Sequence, residues 1–209
     1  VLFRSAIMNY SEAARAMIQT SPRKAQDYME KTGAQADRAG QIIRRLRGFV
    51  GKGAVERAPA RLNDVVEEAS TFAAVGAKLE GVDVRFELEP ELPLVNIDRI
   101  QIQQVVVNLV RNALDVLHDV EARKVTISTR PNAAFLEVTV ADSGPGIARE
   151  IADRLFMPFT TTKQDGIGIG LSISRSIVEA HGGKLWFEPN PAGGAVFKFT
   201  IPALPREAS

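Results

Sequence analysis

Three segments of the 209-residue chain have residue types and spacings that could do chemistry. The first is a stripe made of Gln104, Asn108, Asn112 and Asp115. At about 100° per helical residue, these four fall within an arc of roughly 80°. Ile102, Val105, Val106, Leu109, Val110, Ala113 and Val116 surround it, so the helix is apolar nearly all round apart from the stripe and Arg111. Polar groups beside a buried surface need partners, because an unsatisfied one costs about 1–3 kcal/mol. Water or neighbouring loops would serve as well as a ligand. The second segment is Asp142-Ser143-Gly144-Pro145-Gly146-Ile147, just after an alternating stretch ending at Val140. A carboxylate at a strand end can accept a hydrogen bond from an exocyclic amine, and the two glycines let backbone close on a flat ligand. A plain strand-to-helix turn explains the same residues. The third is Gly166-Ile167-Gly168-Ile169-Gly170-Leu171, opening a helix whose free N–H groups and positive dipole end suit phosphate. Thr160-Thr161-Thr162-Lys163 adds hydroxyls and a cation, and Phe156-Met157-Pro158-Phe159 is either a brace for a lid or simply core. The P-loop spacing is absent, and G-x-G-x-x-G fails because Ile173 stands where its last glycine belongs.

These segments need a scaffold. The stripe lies on a helix expected from Asp98 to about Asp119, with Asp98 as N-cap and Gln101 in capping-box position. Alternation predicts strands at Val125–Thr129 and Leu136–Val140, and a helix starts near Leu171. Lys184–Glu188 and Ala195–Ile201 read as a hairpin across Asn190–Gly194. Upstream, Leu62–Leu79 is an amphipathic helix, and Val82, Val84, Phe86 and Leu88 alternate as a strand. Without regular βαβ alternation, the expected fold is α+β, a two-layer sandwich with helices on one face of a mixed, largely antiparallel sheet.

The N-terminal part is expected to be an antiparallel helical hairpin. Ile7, Tyr10, Ala14 and Met17 repeat at helical spacing until Ser21-Pro22 interrupts them. Ala25, Tyr28, Thr32, Gln35, Ala39, Ile42, Leu46 and Phe49 then form a heptad seam. Gly33 and Gly40 within it each cost roughly 1 kcal/mol, so this helix needs tertiary support. Arg44, Arg45 and Arg47 read as a solvated or partner-facing surface. The expected division is a hairpin over 1–55, a linker over 56–61, an α/β domain over 62–204 and a tail over 205–209.

Composition narrows the classes. A hydrophobic share of 45% with 24% charged residues is globular, and a net charge of +1 gives no reason to expect nucleic acid or an anionic membrane. With Cys 0 there is no thiolate chemistry, which suits a reducing cytoplasm. No apolar run reaches the roughly 18 residues of a membrane span, and Val1–Ser5 lacks the charged start and apolar core of a signal-peptide pattern. The opening Val1-Leu2-Phe3-Arg4-Ser5 lacks an initiator methionine, so the natural start is expected upstream and these five residues are expected to be non-native.

Taken in order, Gln104-x3-Asn108-x3-Asn112, Asp142-x-Gly144-x-Gly146, Phe156-x2-Phe159 and Gly166-x-Gly168-x-Gly170 resemble the N, G1, F and G2 boxes of two-component sensor histidine kinases. The wider relatives are the Hsp90, gyrase and MutL ATP-binding proteins of the GHKL superfamily. Thr161-Thr162-Lys163, the run Gly170–Gly183 and Gln41–Val50 are similar to the FixL-type oxygen-sensing kinases. The resemblance implies a site for ATP and Mg²⁺. Asp142 would take the adenine amine, with Gly144, Gly146 and Ile147 shaping the base pocket. Asn112 would coordinate Mg²⁺, with Asn108 and Asp115 beside it on the stripe. Phe159, Thr161, Thr162, Lys163, Gly166, Gly168, Gly170 and Leu171 would close on the phosphates. Asn108 and Lys163 would have the catalytic roles. Asn108 stands where ATP-hydrolysing relatives carry a glutamate base, and a carboxamide cannot be a general base, which favours phosphoryl donation over hydrolysis.

The family phosphorylates a histidine on the first hairpin helix, dimerises through the hairpin and passes the phosphoryl group to a response-regulator receiver domain. That histidine is expected upstream of Val1. Only His118 and His181 are present. His118 is expected at the surface, and His181 at a helix C-terminus where it can favour the dipole. The chain is therefore expected to bind ATP without phosphorylating itself. A GHKL-type ATPase and a non-catalytic nucleotide-binding or dimerisation module are the alternatives.

Overall fold

The strand expected at Leu136–Val140 runs longer, and its length is what brings a charged residue into the core. In the computed structural model, which describes residues 2–33, 56–75, 77, 80–118, 120–161, 168–190 and 193–205, it spans Phe135–Asp142. Two compact units are present, Val1–Gly53 and Ala54–Ser209.

In the first unit, α1 (Leu2–Met17) and α2 (residues 22–33 of the described chain) are joined by a short turn. Pro22 takes the first helical position, where its missing N–H costs nothing. Tyr10 of α1 stacks on Tyr28 of α2 with ring centroids 6.2 Å apart, and Ala14 and Ala25 are buried. The heptad positions beyond Thr32 lie outside the described residues.

The second unit holds β1 (Ala58–Ala60), α3 (Leu62–Ala73), β2 (Asp83–Leu88), β3 (Val95–Ile97), α4 (Arg99–Asp115), β4 (Lys124–Asn132), β5 (Phe135–Asp142), α5 (Arg149–Ala152), α6 (Gly170–Ala180), β6 (Leu185–Pro189) and β7 (Ala195–Pro202). The five-stranded sheet has the order β2-β4-β5-β7-β6. Only its β2–β4 edge is parallel; the other pairs are antiparallel. Alternation turns Val125 and Ile127, then Leu136, Val138 and Val140, then Phe197, Phe199 and Ile201 to one face, all buried. Against that face pack α3, α4 and α6. The central helix, α4, buries Ile102, Val105, Val106, Leu109, Val110 and Ala113 and touches both other helices. This is the expected mixed sheet with helices on one side.

Three local readings need correction. Residues Ala58–Ala60, inside the stretch read as a linker, pair antiparallel with Val95–Ile97 as β1. Pro59 is tolerated there because an edge strand need not donate at every residue. The first domain helix stops at Ala73 instead of Leu79, its end tightened by Val75 N–H donating to Phe72 O. The stripe helix stops at Asp115, four residues before the expected Asp119.

Candidate functional site

The alternation of β5 places Asp142 on the inward face, in the same series as Leu136, Val138 and Val140. It is 4% exposed. Its Oδ1 accepts hydrogen bonds from the N–H groups of Gly144 at 2.9 Å and Ala195 at 3.2 Å. Burial pushes the carboxyl above its ordinary value, and those two donors oppose the rise. Both of these hydrogen bonds fall on the same oxygen, Oδ1. The β6–β7 turn braces the backbone of Asp142: Asn190 Nδ2 donates to Asp142 O at 3.0 Å. Gly194, at φ +96°, lies so close that a Cβ would stand 2.0 Å from the same carbonyl. Asn190, Gly194 and Ala195 carry no site signal in the sequence, where they read only as a hairpin turn and the start of its second strand.

The Asp142 loop also touches α4. A Cβ on the buried Gly144 would meet Val116 Cγ2 at 2.8 Å, and one on Gly146 would meet Gly194 O at 3.2 Å. Ile147 packs on the core cluster, as does Leu171, so both act from the apolar side.

The polar stripe of α4 meets the start of α6. Asn108 Nδ2 donates to Ser174 Oγ at 3.0 Å, and a Cβ on Gly170 would stand 2.4 Å from Asn108 Oδ1. Gly168, at φ +70°, is pressed on the backbone of Phe159 and Thr160, where a Cβ would come within 2.7 Å. The glycines thus admit backbone and carboxamide where side chains would not fit. Asn112 is half-buried and Asp115 exposed further along the stripe, each with an interaction of its own. Thr161 is described and exposed. Thr162, Lys163 and Gly166 lie outside the described residues.

The two phenylalanines separate. Phe156 packs on the core, with the Arg175 guanidinium 5.7 Å from its ring centre. Phe159 is 77% exposed, at φ +67°. That left-handed backbone is uncommon for a bulky residue and stores strain next to Gly168.

The histidines also separate. His118 is exposed. His181 is 4% exposed, which corrects the reading of a cation at a helix end. Its Nδ1 bonds Ile177 O at 2.8 Å, and its Nε2 accepts from the Asp98 N–H at 3.0 Å. Nδ1 therefore carries the proton, and the ring is neutral. Burial lowers its pKa, with Arg57 lowering it further against the Ile177 carbonyl and Asp98. Asp98 caps α4 by accepting from Gln101 N–H at 3.1 Å. The other half of the expected capping box, a bond to the Asp98 N–H, comes from His181 instead of the Gln101 side chain.

A separate open groove of about 550 Å³ on α3 is lined by Asp64, Glu67, Glu68, Thr71, Phe72 and Val75. Its acidic rim would repel a polyphosphate. Among the described residues no cluster of three or more His, Cys, Asp or Glu could hold a metal, and no helix is long and apolar enough to cross a membrane.

A mixed sheet under three helices, with an inward carboxylate at a strand end and a glycine-opened helix against a carboxamide stripe, defines an ATP-binding catalytic domain of the GHKL class. Residues 97–205 match the family described as histidine kinase-, DNA gyrase B- and HSP90-like ATPase, and the chain belongs to that family. It is 45% identical over 204 residues to the sensor protein FixL of Bradyrhizobium diazoefficiens, covering 95% of this chain and 40% of that protein. The catalytic domain of histidine kinase ThkA is 38% identical with a TM-score of 0.64, over 71% of this chain and 96% of that one. ThkA in complex with the response regulator TrrA is 29% identical with a TM-score of 0.74, over 99% of this chain and 60% of that one. The chain thus spans less than half the length of the curated relatives it matches.

Proposed function

We propose that this chain is the catalytic core of a two-component sensor histidine kinase, working in the cytoplasm as a homodimer through its N-terminal hairpin. It binds ATP with Mg²⁺ and directs the γ-phosphoryl group to a histidine on the dimerisation helix, for relay to a response-regulator aspartate. The observation that carries this reading is the inward, buried Asp142 with Oδ1 held by two amides; its Oδ2 would accept from the adenine amine. The glycine cradle fits the ligand chemistry: Gly144, Gly168 and Gly170 stand where any side chain would collide with the site's own walls.

When bound, ATP supplies the phosphoryl group, and Mg²⁺ screens the charge that builds on its oxygens. The chain's own groups position it. Asn112 offers a carboxamide oxygen, suited to a hard cation that keeps several waters. By the resemblance Lys163 and the amides of the Gly166–Gly170 segment would take the polyphosphate; of these, Gly168 and Gly170 are described, at the N-terminus of α6. Asn108 cannot take a proton from water, so hydrolysis is slow and the phosphoryl group is kept for a histidine. Neutral, buried His181 has both ring nitrogens engaged and is not that acceptor.

Calorimetric titration with ATP and Mg²⁺ tests the reading. In Asp142→Asn the two amide donors hold the carboxamide oxygen and turn the NH₂ toward the adenine amine. Affinity is expected to fall about tenfold or more, the worth of a hydrogen bond to a charged group. Asn112→Ala is expected to keep metal-free binding and lose the tightening by Mg²⁺. Unchanged affinity in Asp142→Asn would remove the basis of the assignment.

A further inference from the structure

We propose that Ser174 is a positioning residue of the nucleotide site, anchoring the NH₂ end of Asn108 so that its carbonyl oxygen is held toward the phosphates. The inference rests on the nucleotide reading above and adds a residue to it. Three serines stand at alternate positions near the start of α6. Ser172 Oγ donates to Ile169 O and Ser176 Oγ to Ser172 O, both within their own segment. Ser174 differs: it is 2% exposed, and its hydroxyl reaches across the helix seam to accept from Asn108 Nδ2 at 3.0 Å.

Gly170 lies one turn earlier on the same face of α6. A Cβ there would stand 2.4 Å from Asn108 Oδ1 and 3.2 Å from Nδ2. The carboxamide is therefore laid flat on the first turn of α6, between an absent side chain and a buried hydroxyl. The two ends of a carboxamide are alike in size and opposite in polarity. Sterics at Gly170 fix where the group sits, and the Ser174 hydroxyl, here the acceptor, holds its NH₂ end in the seam. With its NH₂ bonded in the seam, Asn108 presents its carbonyl oxygen at the N-terminal turn of α6. Oxygen suits a hard cation or the water bound to it, and NH₂ does not. A residue without a hydroxyl at 174 would leave the amide free to turn over and set a donor against the cation.

The test uses the 209-residue chain and the non-hydrolysable analogue AMPPNP, titrated calorimetrically in Mg²⁺ and in EDTA. Ser174→Ala is expected to match wild type in EDTA within about twofold and to lose roughly five- to tenfold of the Mg²⁺-dependent tightening, one neutral hydrogen bond's worth. Ser174→Thr, which keeps the hydroxyl, is expected to restore it. In wild type the Asn108 side-chain NH₂ protons are expected to be protected from exchange by NMR, a readout that needs no variant to fold. Full Mg²⁺ tightening in Ser174→Ala, equal losses with and without Mg²⁺ in both variants, or fast exchange of that NH₂ each overturns the inference while leaving the nucleotide reading in place. Absence of AMPPNP binding by wild type overturns both.

Discussion

Asp142 is an apolar position filled by a carboxylate. Burial holds its pKa above the ordinary value, against the pull of the Gly144 and Ala195 N–H groups. In the proposed site an adenine amine would donate best to the ionised form, so bound nucleotide would favour proton loss and affinity is expected to fall as pH drops through the raised pKa. The weakening on acidification is thus expected to begin at a higher pH than the roughly 4 of a free aspartate. Titrations from neutral pH to about pH 5 check it; a wild-type profile as flat as that of Asp142→Asn would contradict it. The glycines beside Asp142 were legible as a motif. Its bracing by Asn190 and Gly194 was not, because those residues lie about fifty positions further on and meet it only when β5 pairs with β7.

Among the helices, the informative contact is the one between the C-terminus of α6 and the N-terminus of α4. His181 closes it with both ring nitrogens, and Arg57 adds a hydrogen bond to Ala180 O. These helices carry the glycine loop and the carboxamide stripe, so the clamp holds their far ends in register while Asn108 and Ser174 hold the near ends. The charged groups facing the imidazole are Arg57, which disfavours its protonation, and Asp98, which favours it. A histidine with a depressed folded pKa takes its proton first in the unfolded chain. Its stabilising contribution is therefore whole above about 6.5 and is lost as pH falls below that toward the folded value. His181→Gln is expected to cost about 1–2 kcal/mol at neutral pH and to show a smaller drop in urea midpoint between about pH 7.5 and about pH 5.5 than wild type. Equal drops in the two proteins would mean that His181 is not the group responsible.

At the scale of the whole molecule the chain separates into Val1–Gly53 and Ala54–Ser209, each with its own packing. The core that positions the site, from Leu62 to Ile201, lies entirely in the second unit. Residues 54–209 alone are expected to unfold in one cooperative step with the same urea midpoint as the α/β transition of the full chain, within about 0.5 kcal/mol. Loss of cooperativity on removing 1–53 would show that the α/β unit borrows stability from the hairpin.

The sequence by itself determined the periodic elements and the order of the chemical segments. Alternation marked β4, β5 and the β6–β7 hairpin, the stripe Gln104–Asp115 marked a helix with one polar face, and the glycines before Leu171 marked a helix start. These are properties of adjacent residues, set by repeats of about 2 and 3.6 positions. Only the tertiary structure decided that Ala58–Ala60 is a strand, that His181 completes the cap of α4, that Asn108 bonds Ser174, and that Asp142 faces inward against Ala195. Each of those contacts joins residues tens of positions apart, and no local period records a partner that arrives only when the sheet and helices close on one another.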